Sequence, residues 1–148
     1  MTHHLITAGL AVLSALLLPP AAVDTYPKNP GIDALNYAFT IELSDTTDMI
    51  AGELALDVRF VAAGVRAVRL DLISASATAG GKGMRVSGVT MNGQAVPYTH
   101  ANDVLLVPLA SAPAINQRAR LMVRYQGTPA TGLKIGNNKY GDRTLFSD

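Results

Sequence analysis

From residue 35 onward the chain is written largely in period two. Tyr37, Phe39, Ile41 and Leu43 recur at every second position, with Asn36, Thr40 and Glu42 among the residues between. Alternation of this kind places one set of side chains on each face of a pleated strand, so residues 35–43 predict a strand with an apolar face. Leu54, Leu56, Val58 and Phe60 repeat it against Glu53, Ala55, Asp57 and Arg59. The polar stretch 44–48 joins the two as an antiparallel pair. On this phase Tyr37, Phe39 and Phe60 belong to the core.

Further along, Val68, Leu70 and Leu72 alternate with Arg69 and Asp71, and an Ala, Ser and Gly-rich loop follows over residues 74–83. Residues 84–91 predict a strand interrupted at Gly88. Asn92-Gly93 then supplies the dipeptide that best tolerates positive φ at both centres of a type I′ turn, so a tight hairpin is expected, returning through residues 94–98. Pro97 demotes that return strand to an edge, because proline offers no ladder donor. Residues 103–109 and 118–125 complete the set, the last with Leu121, Val123 and Tyr125 on one face and Arg120, Met122 and Arg124 on the other, ended by Gly127 and Pro129.

These segments predict an all-β fold: an antiparallel β-sandwich or saddle-shaped curved sheet of about seven or more strands, preceded by a signal-peptide helix. No repeat of 20 to 50 residues is visible. Residues 5–18 are an almost unbroken apolar run, followed by Pro19-Pro20-Ala21-Ala22. The run is shorter than the roughly 20 apolar residues of a membrane-spanning helix, and small residues stand where a signal peptidase cuts. Its n-region carries His3 and His4 in place of Lys or Arg. The division expected is a signal peptide over 1–22, an extended lead-in over 23–32, a β domain over 33–130 and an irregular Gly- and Asn-rich tail over 131–148. The protein is expected to be exported, periplasmic or secreted, with no stable membrane span after cleavage.

Composition narrows the chemistry. Twelve Lys and Arg against eleven Asp and Glu leave a formal charge of +1. The basic residues are scattered singly, so nucleic acid is not an expected partner. No cysteine is present, which removes disulfides, thiolate metal sites and thiol nucleophiles together. Of the three histidines, His3 and His4 fall in the leader and His100 stands alone after a predicted edge strand, where a solvent-exposed turn residue is the expectation. One imidazole does not hold a metal. Ser74, Ser76, Ser87, Ser111 and Ser147 lack a nucleophile elbow and a histidine base. Gly80-Gly81-Lys82-Gly83 lacks the spacing and the Ser or Thr of a phosphate loop and reads as a flexible loop. Glu53, Asp57 and Asp71 fall on polar strand faces, where solvation accounts for them. Tyr98 and Tyr140 are the exposed aromatic candidates.

In order and spacing, several segments resemble the N-terminal domain of the aminopeptidase N family of zinc metallopeptidases, the gluzincin group. They are Leu35-Asn36-Tyr37 and the strand it opens, Ile50-Ala51-Gly52-Glu53, Leu70-Asp71-Leu72, Val89 and the Asn92-Gly93 turn, Tyr125-Gln126-Gly127, Thr131-Gly132-Leu133 and Thr144-Leu145-Phe146. The resemblance covers residues 33–148. It implies a β domain that scaffolds and rims the active-site cleft of a larger exported enzyme removing N-terminal residues from peptides. Zinc is implied for that full-length parent, with no cofactor in this chain, and the partner implied is the parent's own C-terminal catalytic domain. Neither the H-E-x-x-H helix nor the G-x-M-E-N loop of the family is present; Met91-Asn92-Gly93 lacks the glutamate of the latter. The chain alone is therefore expected to be inactive, with no catalytic residue assigned. The resemblance implies that the family's N-terminal domain lends a residue to the substrate pocket just beyond the stretch matching Phe146 to Asp148, so Phe146, Ser147 and Asp148, a step short of it, are the substrate-binding candidates. Lys134 stands where the family commonly has an aromatic residue. The alternative reading is a self-sufficient secreted β-sandwich used for binding or adhesion.

Overall fold

The structure is a computed structural model and describes residues 29–147. The expected leader helix over 1–22 and Asp148 lie outside the described residues. Those described form ten strands and no helix. Five make one antiparallel sheet in the order β1–β2–β8–β4–β5: β1 (Ile32–Glu42), β2 (Ile50–Phe60), β8 (Arg118–Thr128), β4 (Gly83–Met91) and β5 (Gln94–Ala95). Three make a second sheet, β3–β7–β6, from β3 (Ala67–Asp71), β7 (Val104–Pro108) and β6 (Thr99–Ala101). The remaining pair is a hairpin of β9 (Leu133–Asn137) and β10 (Arg143–Ser147). No sheet closes on itself, and the all-β expectation holds.

Period two does its work at the centre. The even-numbered residues of β2, Leu54 to Phe60, face inward with Ala119, Leu121 and Val123 of β8 and Val89 of β4. Val68, Leu105 and Val107 from the second sheet close over them in one cluster. The sheets therefore pack face to face as a sandwich, with the side chains of both inner faces filling the space between. On the opposite face the ladder register sets charge against charge: Asp33 opposite Arg59, Asp57 opposite Arg120, and Glu53 opposite Arg124. Their closest N···O separations are 2.6, 2.7 and 2.7 Å.

Tyr37 and Phe39 are not core residues. Register places them beside Leu56 and Leu54, on the inward face, yet they are 51% and 59% exposed, while Phe60 is 1% exposed as expected. The second sheet shares its buried cluster with β2, β4 and β8, whereas β1 contributes only Ile32 at the cluster's margin. Alternation reports which face a side chain takes; it carries no information on whether that face is covered.

Two local features also depart from expectation. The return strand expected over 94–98 stops after Gln94–Ala95, and the chain crosses through Val96-Pro97-Tyr98 into the other sheet as β6. Pro97 cannot donate to a ladder, so it stands at the crossing. Tyr98, expected exposed, is half-buried there and donates its hydroxyl to the Val86 carbonyl at 3.1 Å. The Asn92-Gly93 turn is present as expected, with φ of 51° and 82°, and the break at Gly88 is a bulge that lets β4 continue.

The tail over 131–148, expected to be irregular, holds the β9–β10 hairpin. Its turn is built by Asn138, whose side-chain oxygen accepts from the backbone N–H of Tyr140 at 2.9 Å and of Asp142 at 3.0 Å, with Gly141 at φ 92°. Asn and Gly read as loop residues because they favour turns. Here they favour the turn that joins two strands.

Candidate functional site

The two described substrate-binding candidates, Phe146 and Ser147, lie at the end of β10, opposite Lys134 and Leu133 of β9. Phe146 is an exposed ring with the Lys134 ammonium 5.5 Å from its centroid, a cation–π contact across the hairpin. Lys134, which departs from the family's usual aromatic residue, thus meets an aromatic side chain from the neighbouring strand.

What positions the hairpin is Arg143. Its guanidinium donates to the Thr47 carbonyl at 2.6 Å and to the Asp48 carboxylate at 2.7 Å, tying the start of β10 to the turn between β1 and β2. These charge-assisted bonds reach across the fold from the β9–β10 hairpin to a turn nearly a hundred residues earlier in the chain. The Nε of Arg143 is buried without a partner among the described residues. Beside this anchor, Asp48, Lys82, Thr128 and residues 129–135 line an open cleft at the base of the hairpin. Leu133 and Lys134, the β9 partners of Ser147 and Phe146, are among its walls, and nothing in the pattern of period two announced it, because it is made from three separate parts of the chain.

The carboxylates are engaged. Arg120 meets Asp57 through two bonds, at 2.7 and 2.8 Å, and this pairing, with Asn36 adding a further bond, holds the Asp57 carboxyl below the usual carboxylate range. The same bonds push the Arg120 guanidinium up. Glu53 is taken by Arg124 and Asp71 by Arg69. The residues expected to be merely solvated are thus cross-strand or same-strand ion pairs. Burial raises the Tyr125 phenol, whose ring lies over Gly52.

His100 is not a turn residue: it lies in β6, half-buried, and its Nε2–H donates to the Leu72 carbonyl at 2.8 Å. Ser74 and Asp103 hold two loops together, the Ser74 N–H reaching the Asp103 carboxylate at 2.8 Å and the Asp103 N–H reaching the Ser74 hydroxyl at 3.1 Å. Gly80 and Gly81 turn the loop with positive φ. Among the described residues no group of three or more His, Cys, Asp or Glu is placed to hold a metal ion. No helix among them is long and apolar enough to cross a membrane.

No protein-family model matches the chain, and no curated protein matches it. Solved structures do. An M1 zinc metallopeptidase from Deinococcus radiodurans, solved as a point mutant, matches 67% of this chain at 25% identity with a TM-score of 0.56. Yeast LTA4 hydrolase in complex with bestatin matches 88% at 16% identity, with a TM-score of 0.63. A further Deinococcus structure, bound to a Tyr-Ser-Ala substrate, matches 72% at 22% identity and a TM-score of 0.56. The chain spans about a fifth of the length of these structures.

The fold is that of a β domain found within zinc metallopeptidases. Its structural neighbours include M1 zinc metallopeptidases, the aminopeptidase N family that the sequence resembles, and the match takes in most of this chain but about a fifth of theirs.

Proposed function

We propose that this chain is the N-terminal β domain of an exported zinc aminopeptidase, and that it scaffolds and rims a cleft whose chemistry is supplied by the parent's catalytic domain. One observation carries the reading: the match takes in 88% of this chain and only 21% of a structurally similar M1 hydrolase. A domain of this kind lends support and a wall. Phe146, Ser147 and Asp148 are the residues we assign to the substrate side of that wall, the first two held in place by the Arg143 anchor. Peptides are the proposed substrates of the parent. Zinc belongs to the catalytic domain and would there polarise a peptide carbonyl and activate water.

Among the described residues no group of three or more potential zinc ligands comes together, and His100 bonds the Leu72 carbonyl. The leader supports export, with cleavage near Ala21 or Ala22. The test is direct: residues 1–148, purified, are assayed on aminoacyl reporter substrates beside the product of the whole reading frame. Turnover by the longer protein that a chelator abolishes, with none from the shorter, is the expected result. Chelator-sensitive turnover by residues 1–148 alone would overturn the proposal. Mass spectrometry of the N-terminus of the exported product checks the leader, with an intact Met1 counting against cleavage.

A further inference from the structure

Across β1, β2 and β8, each outward guanidinium but one has a carboxylate on a neighbouring strand. Asp57 faces Arg120, Glu53 faces Arg124, and Asp33 faces Arg59. The exception is Arg118, which the register sets directly opposite Arg59. Like charges in that position repel each other. Arg118 is exposed and meets no carboxylate among the described residues, so at this corner of the sheet the ladder leaves a cation unbalanced.

The corner is concave. Arg120, two residues on and therefore on the same face as Arg118, joins it in lining an open hollow of about 440 Å³, with Leu35, Asn36, Asp57 and Asn92. Small-molecule sites run to about 300–1,000 Å³. Two of the donors around the hollow are fixed by bonds within the protein. Arg120 spends Nε and Nη2 on Asp57, which leaves its other terminal nitrogen, Nη1, without a bond among the described residues. Asn92 donates its backbone N–H to the Arg120 carbonyl at 2.8 Å and accepts the Arg120 N–H on Oδ1 at 2.9 Å. That second bond sets the amide, because its oxygen is occupied and Nδ2, with two N–H groups, is the end left to donate. The ladder between β4 and β8 stops at Met91 opposite Leu121, so the Asn92-Gly93 turn stands where β8 runs on toward Arg118 uncovered by β4.

Charge selects the ligand. Two guanidiniums and one carboxylate line the hollow, and a single negative charge balances them. A doubly charged phosphate overshoots that balance and meets the Asp57 carboxylate, whereas a carboxylate matches it and fits the planar fork of an arginine with two parallel bonds. Leu35, put out of the ladder by the bulge between Ala34 and Asn36 and 42% exposed, adds an apolar wall. We infer that this hollow binds a small organic carboxylate, its oxygens held by Arg118, Arg120 Nη1 and Asn92 Nδ2 and its apolar body lying against Leu35. The site is independent of the proposed peptidase role: it lies toward the end of β2, whereas the Arg143 anchor grips the turn before β2 begins.

Titration of residues 1–148 with isovalerate, followed through the side-chain nitrogen–proton NMR signals of Arg118, Arg120 and Asn92, tests the site. Saturable shifts of these groups with a Kd of about 1–10 mM are expected. Acetate, which lacks the isobutyl body, should bind at least about threefold more weakly. Arg118→Gln is expected to weaken isovalerate binding at least about tenfold. Asn92→Asp keeps an acceptor for the Arg120 N–H and a residue that tolerates positive φ, yet it replaces two donors by a negative charge and should abolish binding. Arg85→Gln removes an exposed guanidinium of the same sheet outside the hollow and should leave the affinity unchanged. The backbone amide signals of Leu54, Leu121 and Val123 in the core report that each variant is folded. Absence of saturable shifts overturns the inference, as does an equal loss from Arg85→Gln, which would mean diffuse attraction to a basic face. Tighter binding of inorganic phosphate than of isovalerate, or equal affinity for acetate and isovalerate, overturns it as well.

Discussion

β1 and β2 are antiparallel neighbours of equal length, and their sequences alternate in much the same way, yet β2 is buried at every second position and β1 is exposed along nearly its whole length. Leu56, Val58 and Phe60 of β2 are nearly inaccessible, while Tyr37 and Phe39, directly beside Leu56 and Leu54 on the same face, are more than half exposed. The difference lies in what stands above each strand. Val68, Leu105 and Val107 of the second sheet close over β2, β8 and β4. A sheet of three short strands is too narrow to reach the fifth strand of its partner. An apolar face is therefore a capacity for burial, and the stability it yields depends on a partner the strand itself does not encode.

Truncation gives the sharpest test of that contrast. Leu121→Ala, at a position with no exposed surface, is expected to destabilise residues 1–148 by about 2–5 kcal/mol through lost burial and the cavity left behind. Phe39→Ala, which removes a larger side chain, is expected to cost less than about 1 kcal/mol, because surface substitutions have small effects. Denaturant unfolding of both variants reads the comparison. If Phe39→Ala cost as much as Leu121→Ala, the bare edge would have to be covered in solution.

Gly52 probes the boundary between the two regions. It pairs with Ile41 of β1 on one side and Tyr125 of β8 on the other, and a Cβ there would sit 2.3 Å from the Tyr125 ring. Gly52→Ala is expected to cost about 1–3 kcal/mol by overpacking. A second substitution, Tyr125→Leu, should make the pair strongly non-additive, since the clash disappears with the ring. Additive losses in a double-mutant cycle would show that the ring moves aside freely.

Arg143→Ala asks whether the hairpin is held as the geometry indicates. The loss of its charge-assisted bonds to Thr47 and Asp48 is expected to cost about 1–2 kcal/mol and to speed amide exchange in β9 and β10, with the β2 and β8 amides unchanged. Unchanged exchange in the hairpin would place its support elsewhere.

The smallest effect should come from the polar face. Arg120 holds the folded-state pKa of Asp57 below the ordinary 3.8. A carboxylate depressed in this way adds stability that is present above the unfolded value and is lost as pH falls through the folded one. Asp57→Asn should therefore lower stability slightly at neutral pH and flatten the loss of stability below about pH 4. Thermal melts across that range would show it, and parallel curves for the two proteins would mean the pairing contributes nothing.

Much of the fold was legible in the residues. Alternation located the strands, and Asn92-Gly93 announced its hairpin because both positions accept positive φ. The candidate site was less so. Phe146 and Ser147 came from resemblance alone, and the Arg143 anchor that positions them was invisible, since a contact across nearly a hundred residues leaves no local trace. The hairpin itself was hidden because Asn138 and Gly141 signal a turn without revealing that strands flank it.

The sequence by itself determined which face each side chain takes, because the period of the pleat is a property of the backbone. It also determined where turns fall, because φ at Asn and Gly is a local matter. Tertiary structure alone decided which faces are covered, which carboxylate meets which guanidinium, and that Tyr37 and Phe39 stand bare beside a buried Leu54 and Leu56. Those outcomes depend on strands brought together from distant parts of the chain, and burial is a property of the pair rather than of either strand.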